Sequence, residues 1–269
     1  MTRILTVASQ KGGVGKTTTA LNLGYMLGRL GDKVLVVDAD PQGGMAIASN
    51  LRKRTEMGLV QLLSGQLTPE EVITHTRDGS LSMVGSGVVE PEDTESLEGA
   101  ARNGDLQHAL ESLVHGFDYV FIDAPAGVGG LVTALLGASD DVLLMLRCRA
   151  LSLKSLPAFL KLIRYVRRDR NPRLRLEGTL VTMYHADSAL ESEFLAELET
   201  TMPEALVFRT VVKHDQRFEA ASIRSLPVSL LPDGRDVARP YLELAIEFKE
   251  REAMRRFGGE VDEHVEGLF

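Results

Sequence analysis

The sequence predicts an α/β fold of the doubly wound kind, a mostly parallel sheet with helices on both faces. Three observations carry that prediction. Residues 4–8, 33–38, 119–123 and 142–146 are short continuous apolar runs, the pattern of strands covered on both sides. Helical periodicity recurs among and after them, at residues 16–30, 152–168, 188–200 and 235–256, in the alternation that builds parallel sheets. The first strand, finally, enters the first helix through a segment holding three glycines. Neither an internal repeat nor a long linker interrupts the pattern, so the 269 residues are read as one domain over 1–256 and an acidic tail over 257–269.

The glycine segment is Ser9-Gln10-Lys11-Gly12-Gly13-Val14-Gly15-Lys16-Thr17-Thr18-Thr19. Lacking Cβ atoms, its glycines let successive backbone N–H groups turn inward around an anion, and the N-terminus of the following helix adds to the attraction. Such a loop cradles phosphate, with Lys16 reaching the β- and γ-phosphates and the Thr17 hydroxyl ligating magnesium. In the helix, Ala20, Leu23, Tyr25, Leu27 and Leu30 supply the apolar positions. The ordinary phosphate-loop pattern has a glycine where this chain has Gln10, and a second lysine, Lys11, begins the loop. Lys-Gly-Gly-Val-Gly-Lys-Thr-Thr resembles the deviant Walker A motif of the ParA/MinD family of ATPases. The resemblance implies that Lys11 crosses a dimer interface to the partner's nucleotide.

Strand 33–38 follows a Gly31-Asp32 turn and ends in Asp38, with Asp40 two residues on, before Pro41. Carboxylates at the C-terminal end of a strand stand where open α/β sheets place their ligands. A helix N-cap and a turn residue would account for the same pair, but their position one strand from a phosphate loop favours a functional role. Val-Val-Asp-Ala-Asp-Pro-Gln-Gly is similar to switch I of ParA proteins, which implies that Asp40 positions the attacking water and Asp38 supports the magnesium shell. Residues 45–72 read as scaffold, Thr68 capping a helix that starts at Pro69. Residues 81–84 read as a strand, and 90–105 as an acidic solvated loop with a short helix. The run 119–123 again ends in a carboxylate. Asp123 resembles the Walker B aspartate, implied to hold magnesium through a water. Gly127, Gly129 and Gly130 then permit a mobile switch II. Asp-Ala-Pro-Ala-Gly is closer here to the MinD branch, while switch I and the C-terminal third lean to ParA.

The net charge of -8 argues against a surface that coats nucleic acid all round, yet it is unevenly spread. Residues 147–175 hold ten Lys or Arg against one acid, Asp169, leaving twenty basic and thirty-seven acidic residues elsewhere. On helix 152–168, Phe159, Leu162, Ile163 and Val166 point inward while Lys161, Arg164 and Arg168 recur opposite. That stripe is either a solvated face or a set of phosphate contacts whose affinity falls steeply with salt. Residues 176–183 read as a strand, and 178–184 again resemble ParA. In ParA proteins the late strand, here 207–212, leads into Pro-Arg-Asn, which holds adenine, and then an arginine implicated in binding nonspecific DNA. This chain has Lys213-His214-Asp215 and then Arg217. The resemblance implies that Asp215 accepts from the adenine amino group and sets Arg217 at the DNA-contact arginine; Lys213, Arg224 and, from the basic stripe, Arg164 are the other DNA-contact candidates. A second family arginine is replaced by Asp187. In the terminal helix Tyr241, Leu244, Ala245 and Phe248 form a core stripe, and the acidic tail suits an anionic membrane poorly.

The single cysteine, Cys148, lies in an apolar run, a buried thiol rather than a nucleophile, and suits a reducing cytosol. With no signal peptide or apolar span visible, the expected location is cytoplasmic, at the nucleoid if DNA is bound. The resemblance covers the chain to about Arg251. It implies a slow ATP hydrolase using ATP and Mg2+, a homodimer with ATP, nonspecific DNA as its surface, and a partner protein that stimulates hydrolysis, in the service of DNA segregation or cargo positioning. A MinD-like regulator on a membrane surface, a positioning ATPase with a non-DNA surface, and a nucleotide-binding adaptor that barely hydrolyses are the other readings. Amidoligases and electron-transfer ATPases with related loops are set aside, the latter because one cysteine per subunit cannot hold a cluster.

Overall fold

The computed structural model describes residues 2–43, 57–224 and 226–257. Its strands are β1 (Arg3–Ala8), β2 (Val34–Asp38), β3 (Thr74–His75), β4 (Ser82–Val84), β5 (Tyr119–Asp123), β6 (Asp141–Arg147), β7 (Arg175–Tyr184) and β8 (Val207–Lys213). They form one sheet in the order β3-β4-β2-β5-β1-β6-β7-β8. All pairs are parallel except β3 with β4. Between them run α1 (Lys16–Arg29), α2 (Leu59–Leu63), α3 (Pro69–Val72), α4 (Pro91–Asn103), α5 (Asp105–Leu113), α6 (Gly130–Gly137), α7 (Ala150–Asp169), α8 (Ala189–Thr201), α9 (Gln216–Arg224) and α10 (Arg239–Phe257).

Two cores flank the sheet, as its continuous apolar strands require. On one face, Leu23, Tyr25 and Leu27 of α1 pack with Tyr241, Leu244 and Phe248 of α10. On the other, Leu97, Leu110, Leu135, Phe159 and Ile163 bring in α4 to α7. Burying each large side chain contributes roughly 1.5–3 kcal/mol, enough for a narrow stripe to fix α10 although much of that helix is charged. Helix α1 lies close against the loop before β4. A Cβ on Gly28 would stand 1.7 Å from the Ser80 carbonyl oxygen, so only glycine allows the contact.

Both ends of the sheet are protected. β3 is two residues long, and β8 is covered by Glu247 of α10, which is buried and accepts from the backbone N–H groups of Arg209 (2.9 Å) and Thr210 (3.0 Å) and from the Thr210 hydroxyl (2.8 Å). At the strand starts, Arg3 reaches Asp141 at 2.7 Å and also bonds Glu177, which Arg255 bonds in turn, while Arg175 holds Asp141 at 3.0 Å. This ionic cluster ties β1, β6 and β7 together at the edge remote from the glycine loop.

Several expectations need correction. The helix in 90–105 is not short and little of the segment is loop: α4 fills Pro91–Asn103, because Leu97, Ala100 and Ala101 give it a buried face and Asp93 caps its start at 2.9 Å from the Val89 and Glu90 nitrogens. Leu30 is 44% exposed, since α1 ends one residue earlier. Helices α5 and α9 and strand β3 had no counterpart in the sequence reading. The Thr68 cap is present, with Thr68 N–H donating to Glu71 at 2.8 Å. Most of the scaffold stretch expected from residue 45 on, residues 45–56, and the tail residues 258–269 lie outside the described residues.

Burial opposes ionisation of Glu247, but the bonds from Arg209 and Thr210 and the charge of Arg251 outweigh it and hold the carboxyl below its ordinary 4.5. A depressed carboxyl stabilises above the unfolded value and loses that contribution as pH falls through the folded one. Melting temperature of the wild type should therefore drop between about pH 5 and pH 3, and less so in Glu247→Gln; Glu247→Ala should cost about 2 kcal/mol in urea denaturation at pH 7. Gly28→Ala should be at least as damaging, by about 3 kcal/mol in the same measurement.

Candidate functional site

The C-terminal ends of β1, β2 and β5 lie side by side. Val7 pairs with Asp123, and Asp123 with Asp38, so two carboxylates stand on neighbouring strands directly below the glycine loop. Chain order reverses at β1, whose neighbours are β5 and β6, and the crevice at such a reversal is where open sheets take ligands. Gly13 (φ 67) and Gly15 (φ 82) have left-handed backbones, and Gly15 is the N-cap of α1. The loop is anchored from two sides and braced once within itself. Gly127 N–H donates to Ser9 O (3.0 Å), the Thr182 hydroxyl to Val14 O (2.8 Å), and Lys11 N–H to Ser9 Oγ (3.3 Å).

Lys16 is 7% exposed, and Asp38 and Asp123 are wholly buried. The Thr17 hydroxyl donates to Asp123 Oδ2, while Asp123 Oδ1 has no hydrogen-bond partner among the described residues. Burial, then the charge of Asp38, push the Asp123 carboxyl well above the usual range; Thr17 and Lys16 oppose the shift and Asp40 adds to it. An orphaned carboxylate oxygen beside a hydroxyl is a donor set for a small hard cation, which takes its remaining ligands from water and phosphate. Asp38 accepts from Asp40 N–H and Asp40 from Gln42 N–H, each at 3.0 Å, so both also brace the turn after β2.

Beyond the loop opens a cavity of about 300 Å³ lined by Thr18, Met183, Val212, Asp215, Phe218 and Tyr241. Phe218 meets Tyr241 edge to face at 5.7 Å, and the Tyr241 hydroxyl is 3.0 Å from that of Thr19. Asp215 forms a two-point ion pair with Arg217 (3.0 and 2.8 Å), and that guanidinium holds its carboxyl below the usual range. Arg217 also donates to Asp233 O (2.7 Å) and Asp236 (3.0 Å), so this DNA candidate is engaged within the fold. Lys213 and Arg224 are exposed at the end of β8 and on α9, and Arg164 is exposed on α7. The apolar face of α7 and Ala221 of α9 belong to opposite cores, so the candidates are divided between two faces of the sheet. The sequence assigns no site role to Thr182, Met183, Phe218 or Tyr241, although Thr182 and Met183 lie in the ParA-like segment 178–184 at a strand end, Phe218 follows Arg217, and Tyr241 reads as core. Cys148 is 2% exposed, and burial pushes its thiol up to about 12.

An AAA domain family model matches residues 2–176. The sporulation initiation inhibitor protein Soj of Bacillus subtilis is 31% identical over 249 residues, 92% of this chain and 98% of Soj. The chromosome-partitioning ATPase Soj of Thermus thermophilus is 38% identical over 225 residues, 81% of this chain and 84% of its own. Among solved structures, cobyrinic acid a,c-diamide synthase of Mycobacterium smegmatis with bound ATP analog and magnesium superimposes with a TM-score of 0.77 at 28% identity, covering 97% of each chain.

Replacing the buried, partly unpartnered carboxylate by an amide removes the like-charge conflict with Asp38. Asp123→Asn should therefore melt higher than wild type in the nucleotide-free state, by a few degrees for about 1 kcal/mol; differential scanning calorimetry reads the sign, and a lower melting point would contradict the electrostatic account.

Proposed function

The chain belongs to the ParA/Soj family of P-loop ATPases, and from that premise we propose an ATP-gated dimer switch that segregates DNA or positions another large cargo. It is an ATPase that works with ATP and magnesium. Two subunits close on two ATP molecules, the closed form binds nonspecific DNA, and a partner protein stimulates the hydrolysis that releases it. The observation that carries this reading is the Gly127 N–H to Ser9 O bond of 3.0 Å. It joins the segment after Asp123 directly to the phosphate loop, so that a change at the γ-phosphate is felt where a partner can read it.

In this reading Lys16 and the backbone of Gly12 to Thr18 hold the phosphates, Thr17, Asp38 and Asp123 provide the magnesium shell, and Lys11 reaches the phosphates of the opposite subunit. Bound magnesium neutralises charge on the β- and γ-phosphates. Asp40, braced by the turn at residues 38–42, orients the attacking water and accepts its hydrogen bond. The surface candidates are Arg164, Lys213 and Arg224; Arg217 serves the fold. An amide-forming use of the same architecture that relied on a thiolate gains no support from Cys148, the single cysteine, which is buried and held as thiol.

Asp40→Ala should hydrolyse ATP at least a hundredfold more slowly while accumulating ATP-dependent dimers in light scattering, and Lys11→Ala should remain monomeric; an Asp40→Ala protein that stays monomeric with ATP rejects the switch. DNA retention by the ATP form should fall with salt, and Arg164→Glu or Arg224→Glu should weaken it, each lost phosphate contact lowering the log–log salt slope by about 0.9. The two arginines stand on opposite faces of the sheet, so the variant that weakens retention assigns the face, and undiminished retention in both rejects both faces.

A further inference from the structure

Among the described residues, Met183 is the one non-glycine residue with a left-handed backbone, φ 55. A residue bearing a Cβ adopts that conformation at a steric cost, so something around it must hold it there. The restraints are visible on both sides. Thr182 is 2% exposed and its hydroxyl donates to Val14 O (2.8 Å) and Leu146 O (3.3 Å), while Tyr184 O accepts from His214 N–H (2.9 Å). Between them the β7–β8 register breaks: Thr182 pairs with Val212 and Tyr184 with Lys213, so Met183 is the extra residue of a bulge. Bulges beside functional sites re-aim a side chain.

Here the side chain is aimed at the glycine loop and the cavity. A Cβ built on Gly15 would stand 3.8 Å from Met183 Cε, ordinary contact distance, and Met183 lines the cavity together with Thr18, Val212, Phe218 and Tyr241. Met183 is only half-buried, so it is not a filler of either core. Its thioether and methyl form an adaptable, polarisable surface suited to the face or edge of a planar ring.

We propose that Met183 is a nucleotide-binding residue, its side chain forming the wall between the phosphate cradle and the cavity and contacting the base and ribose of ATP. The bulge and the left-handed turn are the means by which β7 places it. The proposal rests on ATP binding alone, and stands or falls separately from the dimer and its DNA surface.

The test combines Met183→Ala, Met183→Gly and Met183→Leu in the full chain. Glycine relieves the backbone and alanine does not, so the nucleotide-free Gly variant should melt above the Ala variant. Both should nevertheless bind ATP with magnesium about tenfold more weakly in titration calorimetry, and Met183→Leu should stay within about threefold of wild type. With 13C-methyl-labelled methionine, the Met183 resonance, assigned by its loss in Met183→Leu, should move upfield as ATP saturates the protein, the shift of a methyl against an aromatic face. Wild-type affinity in either the Ala or the Gly variant, affinities that follow the melting temperatures, or a Met183 methyl that ATP does not move would overturn the assignment.

Discussion

Two carboxylates buried on adjacent parallel strands constrain the rest of this molecule. Asp38 and Asp123 are paired in register at the ends of β2 and β5, with no exposure to water. At strand spacing, two full charges in a protein-like medium repel by about 3 kcal/mol, before the cost of burying them. Two neighbours of Asp123 act against this repulsion. Thr17 donates to one oxygen of Asp123, Lys16 lies close enough to lower its affinity for a proton, and the other oxygen has no hydrogen-bond partner among the described residues. In the proposed reading, a magnesium–phosphate complex adds positive charge beside these carboxylates. The apolar strands that lead to the two aspartates therefore serve the site as well as the core, because they set the register that brings the acids together.

The phosphate loop depends on neighbours as much as on its glycines. Gly13 and Gly15 make its left-handed turns possible, but Ser9 is held by Gly127 and Val14 by Thr182. One anchor comes from the segment after β5, the other from the end of β7. The loop thus sits between a segment suited to respond to nucleotide and a strand end that is fixed. Other polar ties of the sheet stand away from the site: the Arg3–Asp141–Glu177 cluster at the strand starts and the cover that Glu247 gives to β8.

The basic residues illustrate how one-dimensional charge patterns mislead. Arg217 follows Asp215 by two positions, and in space it closes on Asp215, Asp233 and Asp236, becoming part of the frame of the cavity. Arg164 and Arg224 remain exposed but belong to helices on opposite faces. A basic stretch in the sequence is an inventory of charge; which charges share a surface depends on how helices are distributed about the sheet.

Much of the fold was legible because it rests on local rules. Continuous apolar runs marked β1, β2, β5 and β6, the Thr68 and Pro69 pair marked the start of α3, and three glycines between a strand and a helix marked the phosphate loop. Helix α4 was misjudged because its polar face dominates its composition, and its buried stripe of Leu97, Ala100 and Ala101 gains meaning only once a neighbouring helix is there to cover it. By itself the sequence determined the residues from which the site is proposed: a glycine loop and three aspartates whose residue types and strand-end positions are set locally. Only the tertiary structure decided that Asp123 would keep an unpartnered oxygen, that Arg217 would clamp Asp215, and that Met183 would reach Gly15. Those contacts join residues distant along the chain, and packing, which no local pattern encodes, brings them together.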